Sequence, residues 1–218
     1  GIREGAVLMS DGYEVYNGIA RSHRLIHLGC WAHARRYFVE AEAILPKAAR
    51  RPDQLATQFI AAIARLYAVE VKAKGKAVAE RAQLREAASR PVLAEIQHML
   101  VTHRHSVTPG SLLGKALHYL EAQWPKLIRY VENGAWPIDN NLCENAIRPF
   151  VVGRRNWLFA DTVAGANGSA NIYSLIETCK ANGVDTYRYL VALFKALPLA
   201  KTADDYEQLL PWHLTLGD

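Results

Sequence analysis

The chain predicts an α/β core interrupted by a long all-α block, mostly helical overall, and three observations carry the prediction. Two short apolar runs flank a helical stretch near the start. From residue 43 to residue 134 the apolar residues recur at helical spacing. Beyond them lies a short, capped, polar helix followed by a basic segment.

Taken in order, Gly5 to Met9 is an apolar run that leads into Ser10-Asp11-Gly12, the pattern of a buried strand delivering a carboxylate to the C-terminal edge of a sheet. Asp-Gly is also among the commonest turn pairs, so a plain turn aspartate is the competing reading. Tyr13 to Ala20 reads as a helix and Leu25 to Gly29 as a second strand. From Cys30 the period becomes helical, with Trp31, Ala34, Phe38 and Ala41 on one stripe and Arg35, Arg36 and Glu40 off it. Leu55, Phe59, Ile63 and Leu66 form the next stripe, and Val92, Ile96, Met99 and Leu100 another. Leu113 through Val131 forms the longest, with Pro125 expected to bend it. Lys72 to Lys76 and Thr108-Pro109-Gly110 separate these helices. The division expected is therefore a first core piece over 1–42, an all-α insertion over 43–134, a second core piece over 135–200 and a tail helix over 201–218.

In the second piece Asp139 or Asn140 is a good helix N-cap and Pro149 a stop, which gives a helix of about two turns. Glu144 lies three and four residues after Asn141 and Asn140 and four before Arg148, so these side chains share a face while Leu142, Ala146 and Ile147 turn toward a core. A solvated Glu-Arg pair is the ordinary fate of such spacing and is worth only a few tenths of a kcal/mol. Phe150-Val151-Val152 and Trp157-Leu158-Phe159 read as extended segments around a basic Gly153-Arg154-Arg155 turn of the kind that holds phosphates. Val163 to Asn167 reads as a loop. Ser169 or Asn171 then caps a helix ending at Asn182-Gly183, Tyr187 to Leu197 makes another, and Thr202 starts the last.

At 218 residues, half of them apolar, the chain can build one good core or two small ones, and no apolar run is long enough to span a bilayer. The opening Gly1-Ile2-Arg3-Glu4-Gly5 has neither a signal peptide's apolar core nor an initiating Met, which reads as a cytoplasmic product whose front is missing. Three cysteines at unrelated spacings argue against a disulfide framework. An excess of 26 Lys and Arg over 21 Asp and Glu gives a net charge of +5, which permits a polyanionic partner without requiring one. The basic residues gather at Arg21, His23 and Arg24, at Arg35 and Arg36, at Lys47, Arg50 and Arg51, and at Arg148, Arg154 and Arg155.

Two constellations could carry chemistry. Cys30 and His33, with His27 three residues before Cys30, resemble half a zinc site, but a structural zinc needs four ligands and no partner pair exists elsewhere. A Cys-His nucleophilic pair three apart on one helix rarely reaches attack geometry, so a buried Cys beside a hydrogen-bonded His is the plainer reading. Asp11 and Glu144, with Asp139 as an alternate, are the acids in motif-like settings. Two such carboxylates held a few ångströms apart would bind Mg²⁺, or Mn²⁺, through oxygen ligands, and a pair of ions can activate water and stabilise the leaving oxygen in phosphoryl transfer. A glycosidase could use the same two acids, but would leave the arginine cluster without a task.

Ser10-Asp11-Gly12-Tyr13 with Tyr16-Asn17, Gly29-Cys30-Trp31-Ala32-His33-Ala34-Arg35-Arg36, and Asp139-Asn140-Asn141 through Glu144 to Arg148-Pro149 are the first three blocks of a larger pattern. Gly153 to Phe159, Tyr173 to Lys180 with Asn182-Gly183, and Leu209-Leu210-Pro211-Trp212 complete it. Together these six ordered blocks resemble the catalytic part of bacterial insertion-sequence transposases of the IS-sixty-six type, the TnpC proteins, nearly end to end. The resemblance implies a ribonuclease-H-like core holding two Mg²⁺ ions on a DDE triad, with Asp11 as its second aspartate, Glu144 as its glutamate and an all-α insertion between them. It implies that Cys30 and His33, with Asp139, Asn140 and Asn141, support the site, and that Arg35, Arg36, Arg148, Arg154, Arg155 and Asn156 contact DNA. The triad's first aspartate belongs on a strand upstream of Gly1, and the family's N-terminal DNA-binding regions are also expected there.

The function expected of the intact protein is metal-dependent cleavage of transposon ends and strand transfer into target DNA, by a homo-oligomer on paired ends. For this chain alone, DNA binding with little strand transfer is expected. The rival is a catalytically silent DNA-binding or interaction remnant, whereas a helical scaffold unrelated to nucleic acid would show no salt-dependent DNA affinity.

Overall fold

A computed structural model describes residues 3–158 and 160–214. Its contacts divide the chain into two units, Gly1–Leu142 and Cys143–Asp218.

The first unit opens with β1 (Val7–Ser10), α1 (Val15–Ser22) and β2 (Ile26–Gly29). The strands are parallel, in register from Val7 opposite Ile26 to Ser10 opposite Gly29, and α1 supplies the crossover that parallel neighbours require. Ser10 and His27 are diagonal neighbours on one face, and the Ser10 hydroxyl lies 2.8 Å from His27 Nε2. Among the described residues the sheet has these two strands, and the chain is mostly helical, as expected.

Four helices follow: α2 (Trp31–Glu42), α3 (Leu55–Ala73), α4 (Val78–His103) and α5 (Leu112–Leu127), the last continued by a 3₁₀ segment, Ile128–Glu132. The predicted stripes meet in one core. Trp31, Ala34 and Phe38 of α2 bury against Phe59, Ile63 and Leu66 of α3, Ile96 and Leu100 of α4, and Leu117 and Leu120 of α5. Phe38 stacks on Phe59 at 4.5 Å, and Trp31 meets Trp124 edge-on at 6.1 Å while its indole N–H donates to the Leu127 carbonyl over 2.9 Å. The α2 stripe, read as part of the α/β piece, and the block that begins at residue 43 thus share one apolar interior. The long stripe through Val131 breaks into α5 and the 3₁₀ turn just past Pro125, which lies inside α5. At one place this interior is polar: the fully buried Arg85 of α4 makes a two-pronged bond to the Glu70 carboxylate of α3 at 2.8 and 2.7 Å. It also donates to the Tyr130 and Asn133 carbonyls, each at 2.8 Å.

Several expectations fail around the second unit, among them that Leu142 and Ile147 turn toward a core, since both side chains are exposed. The polar helix does not stop at Pro149. It runs as α6 (Asn141–Trp157), and Phe150 to Trp157 are helical rather than extended. An interior proline loses one N–H bond to the preceding turn and crowds the carbonyl four residues back, a cost of about 3 kcal/mol that packing of the following turn can offset. The later turn is held by Phe150, whose ring meets Trp157 at 4.9 Å and Tyr173 at 5.1 Å. Leu158 follows in a left-handed conformation, φ 58°, and Phe159, expected to extend with it, lies outside the described residues. The expected loop from Val163 is the first turn of α7 (Val163–Ala181), because the Thr162 hydroxyl accepts from Gly165 N–H at 3.0 Å and caps the helix earlier than Ser169 or Asn171 could. This helix ends at Asn182-Gly183 as predicted, with Gly183 at φ 67°. Then come α8 (Thr186–Ala196) and α9 (Ala203–Gln208), the latter capped by Thr202. Cys179, Tyr189, Leu193 and Leu209 form a small buried core, in which the Tyr189 hydroxyl donates to the Leu209 carbonyl at 2.8 Å. No described helix is long and apolar enough to cross a membrane.

Candidate active site

Asp11 follows β1 directly, at the C-terminal edge of the strand pair, and is exposed. Both readings of the segment meet here. Asp11 Oδ1 accepts from Tyr13 N–H at 3.1 Å, the bond of an Asx turn, while the strand carries the carboxylate to the sheet edge. Gly12 adopts φ 97°, and a Cβ there would come 3.1 Å from the Tyr119 ring and the Gln123 side chain. A glycine is what that turn requires. Tyr119, on α5, donates its hydroxyl to the Asp11 backbone carbonyl at 2.6 Å, and its ring stacks on Tyr37 at 4.5 Å. Burial above all pushes the Tyr119 hydroxyl well above its ordinary range, so it stays a donor.

The end of β2 is tied to a segment far away in sequence. The buried Cys30 thiol donates to Asn140 Oδ1 at 2.9 Å, and Trp31 N–H donates to the Ile138 carbonyl at 3.2 Å. Burial raises the Cys30 pKa, so the thiol is a donor and not a nucleophile at neutral pH. His33 is buried on the first turn of α2. Asp139 accepts from three donors: Tyr67 of α3 gives its hydroxyl to Oδ2 at 2.8 Å, Asn141 gives its side-chain amide to Oδ2 at 3.0 Å, and the Asn141 backbone N–H reaches Oδ1 at 3.1 Å. The alternate acid is therefore a capping and anchoring group at the start of α6. Arg35 and Arg36 are exposed on α2. Arg35 lines a shallow recess with Tyr67 and Asn141, and Arg36 lies 4.0 Å from Glu40.

In the second unit Glu144 is exposed on the first turn of α6, and no residue of that helix is buried. The basic segment is helical, so Arg154, Arg155 and Asn156 present side chains rather than a phosphate-cradling turn of backbone. At about 100° per residue Arg148 and Arg155 fall within roughly 40° of Glu144 around the helix, whereas Arg154 is roughly 80° away and Asn156 roughly 120°. Arg154 and Arg155 sit in the last turn, where the helix dipole favours cations. Among the described residues no three His, Cys, Asp or Glu side chains gather as a metal site.

Tyr67 and Tyr119, which donate to Asp139 and to the Asp11 carbonyl, are neighbours of the candidate acids that the sequence does not announce. Tyr67 follows Leu66 on the α3 stripe and Tyr119 precedes Leu120 on that of α5, so both look like core residues until the fold shows where their hydroxyls end.

A family model described as the Transposase IS66 family matches residues 2–168, and one described as the IS66 C-terminal element matches residues 174–212. Two relatives from Sinorhizobium fredii (strain NBRC 101917 / NGR234) carry the names Uncharacterized protein y4qI and Uncharacterized protein y4jD. They are 32% and 29% identical to this chain over 214 residues, each alignment covering 95% of it. The chain spans only 39% and 41% of those relatives' lengths. No solved structure matches it at a significant level.

Proposed function

From the premise that the chain belongs to the IS66 transposase family, we propose that Asp11 and Glu144 are two of the acids on which the whole protein cuts DNA at transposon ends and joins the freed end to a target. The observation that carries this reading is the pinning of the α6 lead-in to the end of β2. Cys30 and Asn140 are 110 residues apart in sequence, yet thiol and amide are in hydrogen-bond contact across the root of the helical excursion. That is the connection a divided core needs if its last acid is to serve the same site as the strand's. Tyr67 on Asp139 and Tyr119 on the Asp11 carbonyl add the insertion's own support on both sides.

The donor chemistry fits a hard divalent cation, Mg²⁺ or Mn²⁺, because both acids are exposed carboxylates that offer oxygen ligands. When bound, such ions supply an activated water and charge stabilisation on the leaving oxygen. The chain's own residues fix the acid and hold the polyanion. The Asx turn and Tyr119 orient Asp11, and Arg148 and Arg155, on the face of α6 that carries Glu144, meet phosphates, with Arg35, Arg36, Arg154 and Asn156 as outer contacts. Action as a homo-oligomer on paired ends belongs to the same proposal.

The test is a strand-transfer assay with a full-length IS66 transposase containing this chain. Glu144→Gln is expected to abolish joining, by at least about a hundredfold, while DNA binding persists. Undiminished joining by the variant would overturn the assignment.

A further inference from the structure

Two cavities of about 740 and about 540 Å³ lie side by side between α1 and α5 in the first unit. Both are lined by Asn17, Ala122 and Lys126, so they adjoin at these residues as the two halves of an open trough. One end begins at Gly12, beside Asp11, and passes Lys115 and His118. The other runs past His27 to Arg21 and Arg24.

Lys126 sits where the two halves join. It is half-buried, and its ammonium donates to two neutral amide oxygens, Asn17 Oδ1 and Gln123 Oε1, each at 2.8 Å. No ion pair involves it among the described residues. A partly desolvated cation between two neutral amides is a positive centre that the protein leaves uncompensated, an arrangement that favours an arriving anion. The field is felt nearby, where Lys126 and Arg129, after burial, hold the His27 imidazole below its ordinary pKa. Along the trough Lys115, Arg21 and Arg24 outnumber the one lining carboxylate, Glu14, and among the described residues only Arg24 of these cations has an ion-pair partner, Glu4 at 3.2 Å. An open channel with cations strung along it fits a repeating anion better than a single small phosphate, which an enclosed pocket would suit.

We propose that this trough is a subsite for the phosphodiester backbone of one DNA strand leading to Asp11, with Lys126 at its centre. The proposal rests on the transposase reading above and adds to it a strand path beside the helical insertion, in which Lys115 and Lys126 lie outside every motif block.

The test measures anisotropy of a labelled single-stranded oligodeoxynucleotide with the 218-residue chain, without divalent metal, over a series of salt concentrations. Lys115→Gln and Lys126→Gln are each expected to weaken binding, and together to lower the slope of log K against log salt by about 1.4, near 0.7 for each lost phosphate contact. Lys126→Arg restores its share, which separates charge from packing. Lys115 is exposed, so its variant reports even if substitution at Lys126 disturbs the fold. Lys72→Gln, outside the trough, leaves the slope within about 0.2 of the parent. An unchanged slope in both trough variants, with a lowered slope in Arg148→Gln and Arg155→Gln, overturns the trough and leaves the transposase reading standing. A parent chain with no salt-dependent affinity for DNA overturns the trough as well, and strand transfer by the full-length protein then judges the broader reading separately.

Discussion

Asp139 and Asp11 show how surroundings assign work to like side chains. Asp139 accepts three hydrogen bonds and anchors a helix start, while Asp11 keeps its carboxylate exposed at a strand end with one oxygen engaged by a backbone N–H. The sequence marks both as acids in polar motifs, and Asp-Gly announces the turn. It cannot announce Tyr67, because the partner of a buried hydroxyl is fixed only when α3 packs. His27 carries a prediction at this scale. Burial first, then Lys126 and Arg129, hold its pKa below the ordinary value of 6.5, so the folded chain keeps the ring neutral beside Ser10. The unfolded chain binds that proton more readily. The stability tied to neutral His27 is therefore complete above about pH 6.5 and is lost as pH falls from there through the depressed folded value. Thermal melts from about pH 7.5 down to about pH 5 are expected to show this acid loss in the parent and a shallower one in His27→Gln. Identical pH profiles would remove His27 as the cause.

The elements were legible where periodicity is long and opaque where local punctuation competes with packing. The stripes at Phe59, Ile63 and Leu66 and at Leu117 and Leu120 are core helices, as read. Pro149 and the Gly153-Arg154-Arg155 segment misled, since a stop signal counts for less than Phe150 packing on Trp157 and Tyr173 across the next turns. Arg85 was invisible for the opposite reason: one arginine within a polar stretch of α4 looks solvated, yet it is fully buried and joins α3, α4 and the 3₁₀ turn after α5. Arg85→Met strands the Glu70 carboxylate and two carbonyls, and urea unfolding is expected to show a loss of about 3–5 kcal/mol. Adding Glu70→Leu recovers part of that loss, because the stranded charge goes with it. A single variant as stable as the parent would contradict the role given to this ion pair.

At the level of the whole chain, six motif blocks gave the family, which the matching models show. The division into units was not legible, because it falls at Leu142 and Cys143, inside α6 and inside the motif itself. The helical excursion was legible in outline, but its sharing of a core with α2 depends on which faces meet in three dimensions. In the proposed function Asp11 and Glu144 ligate the same divalent cation. Titration of the chain with Mn²⁺, followed by loss of the free-ion electron paramagnetic resonance signal, tests this without any DNA. If they share a site, Asp11→Asn and Glu144→Gln each weaken the same binding event by about tenfold or more, and the double variant binds hardly less than either alone. Binding that survives both substitutions unchanged, or two losses that simply add, would contradict a shared site.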